Sequence, residues 1–214
     1  GVRLVGSEMC IRDSLSLFRK QLVELIDFCS IEKGIIIGFS LGGMIARRFA
    51  QDTRHRTQAL VILNSPHRRT EAAQAAIMSR VEQASKLGPQ STVEDALERW
   101  FTKKFRDNNC KLMDTVRGWV TANQKEIYHT IYDVLATGID EILAPDPALT
   151  CPTLVITGEE DYGNGPEMAH AIASEILGAK TIILPGLRHM ALAEEPEAIN
   201  KPVRIFLEEL KALR

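Results

Sequence analysis

The sequence predicts an α/β fold, a mostly parallel sheet flanked by helices and interrupted by a helical insertion. Three observations predict it. Short, wholly apolar, β-branched runs recur along the chain. Amphipathic helical patterns separate them. Between the two halves of this alternation lies a long stretch with helical patterns only.

Leu15, Phe18, Leu22, Leu25, Ile26 and Cys29 recur at helical spacing and predict a helix over 15–29. Gly34-Ile35-Ile36-Ile37-Gly38 follows, a run suited to a strand buried on both faces of a parallel sheet. Residues 41–51 return to helix, with Met44, Ile45 and Phe49 apolar. Ala59-Leu60-Val61-Ile62-Leu63 is a second buried strand, so parallel pairing with right-handed crossovers is expected. After Pro66 the rhythm changes. Ala73, Ile77, Val81 and Ala84 mark a helix that Gly88-Pro89 ends. Ser91 and Glu94 have capping-box spacing for a helix carrying Val93, Leu97, Trp100 and Phe101. Asn108-Asn109 reads as a turn, and helical patterns continue through Trp119, then Ile127, Ile131 and Val134. Residues 67–138 are therefore a helical insertion, and 15–66 with 139–214 form the α/β core. Strands at 153–157 and 181–184 flank a helix at 166–177. Pro196 opens a helical turn, and Pro202 is expected to start a last helix bearing Val203, Phe206, Leu207 and Leu210.

A net charge of −2 gives no electrostatic footprint for nucleic acid or an anionic membrane. No apolar run has the length of a membrane span, and no signal-peptide pattern stands at the start. The four cysteines, Cys10, Cys29, Cys110 and Cys151, form no CxxC or zinc-like cluster. A reducing, cytoplasmic setting is expected. Met9-Cys10-Ile11-Arg12-Asp13-Ser14 resembles one reading frame of the transposon end used to prepare sequencing libraries. Residues 1–14 are thus expected to be a non-native scar.

Gly38-Phe39-Ser40-Leu41-Gly42 is G-x-S-x-G, directly after an apolar strand and directly before a helix. A serine there occupies a strained turn that holds its hydroxyl clear of the backbone. The flanking glycines are expected to remove Cβ atoms that would collide with strand and helix. Serine needs a base, and the base needs an orienting partner. In a parallel sheet, groups that must meet sit past the carboxyl ends of strands. Asp161 follows the strand at 153–157, and His189 follows the strand at 181–184. Glu159 and Glu160 compete for the acid role; the strand exit favours Asp161. His55, His129 and His170 sit at the wrong end of the sheet or within helices. His67, past the second strand, is a candidate pocket residue.

These blocks resemble the α/β-hydrolase superfamily from about residue 15 to the end. They are the stretch from Gly38 through Gly43-Met44, then 152–158 with Asp161, and Gly186 to His189. The insertion 67–138 resembles the cap of that family, and Leu97-Glu98-Arg99-Trp100-Phe101-Thr102 resembles a segment of 3-oxoadipate enol-lactonases. Gly163-Asn164-Gly165 departs from the Thr-Pro type segment usual after the acid. The resemblance implies hydrolysis of an ester or lactone of a small carboxylic substrate through an acyl-enzyme. Ser40 is then the nucleophile, His189 the base and Asp161 the acid, with the Leu41 N–H as an oxyanion donor. No metal or organic cofactor is implied, and the expected partner is a small molecule. Candidate substrate contacts are Phe39, His67, Trp100, Trp119, Tyr128 and Met190. The same triad supports C–C bond hydrolysis or perhydrolysis, and a non-catalytic ligand-binding relative is a further reading. The first strands of the family's fold, with its second oxyanion donor, have no counterpart before residue 34. This chain is therefore expected to be a weakly active or inactive fragment with an apolar strand edge.

Overall fold

The computed structural model describes residues 14–212. The stretch read as a scar therefore lies outside the described residues, apart from Ser14. Ser14 caps the first helix, α1 (Leu15–Phe28): its Oγ accepts the Leu17 N–H at 3.2 Å. The chain continues through β1 (Gly34–Phe39), α2 (Leu41–Asp52) and β2 (Thr57–Leu63). Five helices then follow without a strand: α3 (Glu71–Leu87), α4 (Val93–Trp100), α5 (Lys103–Asn108), α6 (Cys110–Thr121) and α7 (Lys125–Thr137). The second half runs β3 (Thr153–Gly158), α8 (Pro166–Ser174), β4 (Lys180–Leu184), α9 (Ala191–Glu194) and α10 (Pro196–Ala212).

The strands pair in the order β1-β2-β3-β4, all parallel. Successive side chains of a strand point to opposite faces. In β2, Ala59, Val61 and Leu63 pack with Leu154, Ile156 and Leu184 against Ile199, Phe206 and Leu210 of α10. Leu60 and Ile62 join Val155 on the other face, against Ala46 and Ala50 of α2 and Ile172 of α8. Helices on both faces explain why these strands read as continuous apolar runs instead of alternating ones.

Three details differ from the sequence reading. β1 is not buried on both faces, since Ile37 is 52% exposed; among the described residues the strand pairs with β2 alone, the apolar strand edge that was expected. The Ser91–Glu94 capping box does not form. Ser91 ends a short turn at Pro89–Ser91 and donates to the Gly88 carbonyl, while Thr92 is the N-cap of α4. Local competition by serine for nearby carbonyls defeats the motif here. Pro202 does not start a helix; it lies inside α10, which Pro196 opens. A proline within a helix forfeits one backbone bond. The apolar stripe Ile199, Phe206 and Leu210, docked on the sheet, keeps the helix continuous across it.

The inserted helices have cores of their own. Ile77 and Val81 of α3 meet Ala136 of α7. Val93 and Leu97 of α4 meet Met113, Val116 and Val120 of α6, with Phe101 between them. No described helix is long and apolar enough to cross a membrane.

Candidate active site

Ser40 sits between β1 and α2 with φ 53° and ψ −117°. This left-handed region costs a non-glycine residue about 1–3 kcal/mol and marks a turn held by its surroundings. The Ser40 N–H donates to the Leu63 carbonyl of β2 at 2.8 Å, which anchors the turn to the sheet. A Cβ on Gly38 would stand 2.2 Å from the Gly42 carbonyl oxygen, so the tight turn demands glycine at that position. Gly42 carries no such demand, since a Cβ there would meet nothing within 4 Å. The close approach on the helix side belongs to Gly43, against Ser65 Cβ at 2.6 Å. Leu41 opens α2, so its N–H has no acceptor within the helix and lies at the positive end of the helix dipole.

Asp161 and His189 are brought together by the ends of β3 and β4. The Glu159 N–H donates to the Leu184 carbonyl, and the Glu160 N–H to the Leu187 carbonyl, both at 2.9 Å. Gly158 permits this approach: a Cβ there would lie 2.3 Å from the Leu187 carbonyl oxygen. His189 Nδ1 stands 2.8 Å from Asp161 Oδ2, both residues buried. Asn64 Nδ2 donates to the same oxygen at 2.9 Å, and the N–H groups of Gly163 and Asn164 donate to Oδ1 at 3.1 Å each. Burial works against ionisation of Asp161. The hydrogen bond and charge of His189, with the Asn64 and Gly163 donors, outweigh it and hold the carboxyl below its ordinary value. The unusual Gly163-Asn164-Gly165 segment is thus the turn that wraps the carboxylate. Its signal was an aspartate followed by glycine and asparagine, the composition of an Asx turn.

Ser40, Leu41, Asp161 and His189 line one cavity of about 460 Å³ between the strand ends and the inserted helices. Among the described residues, no hydrogen bond joins the Ser40 hydroxyl to the His189 ring. Such contacts are often loose in ligand-free proteins and tighten with substrate. With Nδ1 committed to Asp161, Nε2 is the ring nitrogen left to act as a base.

Of the candidate substrate contacts, Trp100 and Tyr128 line the cavity, and the Trp100 ring centroid lies 6.3 Å from that of His189. The other four do not line it. Phe39 packs its ring 4.9 Å from the His189 ring. His67 Nε2 is 3.0 Å from Glu175 Oε1, which draws it into an ion-pair network with Arg47. Trp119 is 64% exposed on α6. Met190 packs on the insertion's core, and its N–H donates to the Trp100 carbonyl at 2.9 Å. The sequence reading missed Arg69, Arg80, Arg99 and Tyr132, which also line the cavity. The helical spacing of Arg80 with Ala73, Arg99 with Ala96 and Tyr132 with Tyr128 is the signal that could have found those three; Arg69 precedes its helix and carried no such signal.

A family model described as serine aminopeptidase, S33 matches residues 13–196. An Acinetobacter baylyi protein, (E)-2-((N-methylformamido)methylene)succinate hydrolase, is 27% identical over 187 residues, covering 87% of this chain and 69% of that relative. The same organism's 3-oxoadipate enol-lactonase 2 is 21% identical over 186 residues, covering 87% and 68%. A thermophilic esterase from Thermogutta terrifontis superposes with a TM-score of 0.81 at 22% identity, covering 98% of this chain and 76% of the esterase. The enol-lactonase from Burkholderia xenovorans also gives 0.81, at 21% identity, covering 92% and 74%. These structures share the fold.

Proposed function

The chain belongs to the serine aminopeptidase S33 family of the α/β-hydrolase superfamily, and on that premise we propose that it is a serine hydrolase cleaving an ester or lactone of a small carboxylic acid. Ser40 attacks the carbonyl carbon while His189 Nε2 takes the hydroxyl proton. Asp161 holds the ring through Nδ1 and stabilises the imidazolium. The Leu41 N–H donates to the developing oxyanion. The leaving alcohol takes the proton from His189. Water then attacks the acyl carbonyl as His189 takes its proton, and Ser40 Oγ leaves, taking that proton from His189 and releasing the acid. The inserted helices act as a cap over this step. The reaction needs only side chains and water, and we assign it to the cytoplasm because Cys29, Cys110 and Cys151 form no disulfide among the described residues.

One observation carries the reading. A buried carboxylate with several donors fixes one nitrogen of a buried imidazole, and that imidazole shares a cavity with a serine in a strained turn. A fluorophosphonate probe tests it. With one oxyanion donor assigned, the protein should be labelled at a reduced rate, and labelling should vanish in Ser40→Ala and drop sharply in His189→Gln. Labelling that persists in Ser40→Ala, or a cooperatively folded protein that is never labelled, would overturn the proposal.

A further inference from the structure

The cavity above Ser40 holds three guanidinium groups that the acyl transfer does not use. Arg69 precedes α3, Arg80 lies on α3 and Arg99 on α4. Ala73, Ala76 and Ile77 share the cavity-facing stripe of α3 with Arg80, and Ala96 stands one turn before Arg99 on α4. The small side chains leave space in front of the cations. Among the described residues, none of the three arginines forms an ion pair. Arg69 donates to the carbonyls of Leu135 at 3.1 Å and Ala136 at 3.3 Å, which fixes it to α7. Arg80 Nε donates to the Tyr132 hydroxyl at 3.0 Å, and its two terminal nitrogens make no hydrogen bond among the described residues. Arg99 makes no hydrogen bond among the described residues. Asp95, one turn before it on α4, acts on it through space only. The one carboxylate that lines the cavity, Asp161, is engaged by His189.

We propose that Arg80 and Arg99 bind a free carboxylate on the substrate, remote from the carbonyl that Ser40 attacks, with Arg69 adding to the positive field. The proposal rests on the serine-hydrolase reading of the cavity and names its substrate class: monoesters or lactones of small diacids. Half-buried cations gathered without a counter-ion cost folding energy, and an anionic ligand offsets that cost. Desolvation lowers the pKa of Arg69 and of Arg99, and the charge of Arg80 lowers each further, as expected of like charges sharing a poorly hydrated space. Guanidinium forks match the planar, two-oxygen geometry of a carboxylate. Apolar residues such as Ile77, Ile131 and Leu135 would then cover the methylene chain between the two acid functions. A space of about 460 Å³ suits an ester of that size.

The test compares two esters of equal chain length, mono-p-nitrophenyl glutarate and p-nitrophenyl valerate, at low ionic strength. The glutarate ester should have a kcat/KM higher by about tenfold to a hundredfold, the range of a charge-assisted contact. Added salt should erode that ratio. Arg80→Gln and Arg99→Gln should each reduce the ratio by about tenfold, and free glutarate should protect Ser40 from the fluorophosphonate better than inorganic phosphate does. A ratio near one, a ratio untouched in both variants, or better protection by phosphate overturns the proposal while Ser40 labelling leaves the hydrolase reading intact. If labelling itself fails, glutarate titrated against Trp100 fluorescence decides. Saturable binding weakened in Arg99→Gln supports the anion site, and no binding overturns it.

Discussion

Arg47 is 1% exposed and ties together three places that the inserted helices depend on. Its Nη1 donates to the Pro66 carbonyl at 3.2 Å, where the chain leaves the sheet for the insertion. Its Nη2 donates to the Ile142 carbonyl at 3.2 Å, where the chain returns, and to Glu175 Oε2 at 3.0 Å. Burial pulls the guanidinium down to about 10, against the pull of Glu175. Arg47→Ala leaves two carbonyls and a half-buried carboxylate without their donor. Breaking a buried pair costs about 3–5 kcal/mol. Glu175 keeps His67 and the Ala144 N–H, so the expected loss lies at the lower end, about 3 kcal/mol. For a chain of 214 residues that is a fall in Tm of about 7 °C. Arg47→Met should cost less, about 1–2 kcal/mol, because its unbranched side chain fills buried space that alanine would leave as a cavity. Glu175→Gln alone should cost nearly as much as Arg47→Ala, since it strands a buried cation. The double variant Arg47→Met, Glu175→Gln should then cost less than the sum of its parts. Urea unfolding followed by fluorescence and by far-UV circular dichroism measures all four proteins. An Arg47→Ala protein within about 1 kcal/mol of the parent, or strictly additive single changes, would refute the network as a structural clamp.

The elbow predicts opposite outcomes for its two flanking glycines. Gly38→Ala should destabilise by about 3 kcal/mol or more and abolish fluorophosphonate labelling, because its Cβ would meet the Gly42 carbonyl at 2.2 Å. Gly42→Ala, facing open space on a helix, should be neutral or gain about 0.5–1 kcal/mol, read from the same unfolding curves. Asp161→Asn should keep the fold and lower kcat by about 10⁴, since an amide cannot hold the required tautomer; a loss under tenfold would contradict that role. Asp161 and Glu175 both have folded pKa values held below their ordinary ones. Their stabilisation is therefore complete above the unfolded carboxylate range and is lost as pH falls through the lower folded values. The urea midpoint should hold steady from pH 7 to about 5 and decline below about 4, less steeply in Glu175→Gln, and a midpoint that rose on acidification would contradict this linkage.

The sheet was legible because β2 and β3 are covered on both faces, which writes their burial into the sequence as unbroken apolar runs. β1 carries the same run but among the described residues has a neighbour on one side only; its composition does not encode this, and the expected edge came from the resemblance. The positions of Ser40, Asp161 and His189 were legible for a related reason: each follows a strand, and parallel strands present their carboxyl ends to one edge. The supporting donors were not. Asn64 reaches Asp161 across 97 residues of sequence, and nothing local distinguishes it from any loop asparagine. The cavity wall was half legible. Trp100 and Trp119 look alike on paper, yet one meets the His189 ring and the other stands in solvent. Helix patterns say which residues share a face, not which face looks inward when a helix has neighbours on several sides. His67 failed for another reason: a polar residue past a strand suits a pocket and a hinge equally well, and Glu175 on the far side of the chain decided it.

The pairing of Asp161 with His189 is set by the core, through the Gly158 approach and the bonds from Glu159 and Glu160 to Leu184 and Leu187. The cavity wall comes from elsewhere, and its arginines belong wholly to the insertion. The two parts meet in more than one place, Val134 of α7 packing with Leu15 and Met44 for example, and one seam lies beside His189. Arg188 donates to the carbonyls of Glu98 at 2.7 Å and Phe101 at 3.1 Å, Met190 donates to Trp100, and Glu194 accepts from the Thr102 N–H and hydroxyl. The end of α4 is therefore fastened to the loop that carries His189. Arg80, on α3, lies away from this seam and can change without disturbing His189. Arg99 and Trp100 lie next to it, so a change of selectivity made there acts on the position of the imidazole as well. Within one cavity, the freedom to alter what is bound independently of how it is cleaved falls off from α3 toward the end of α4.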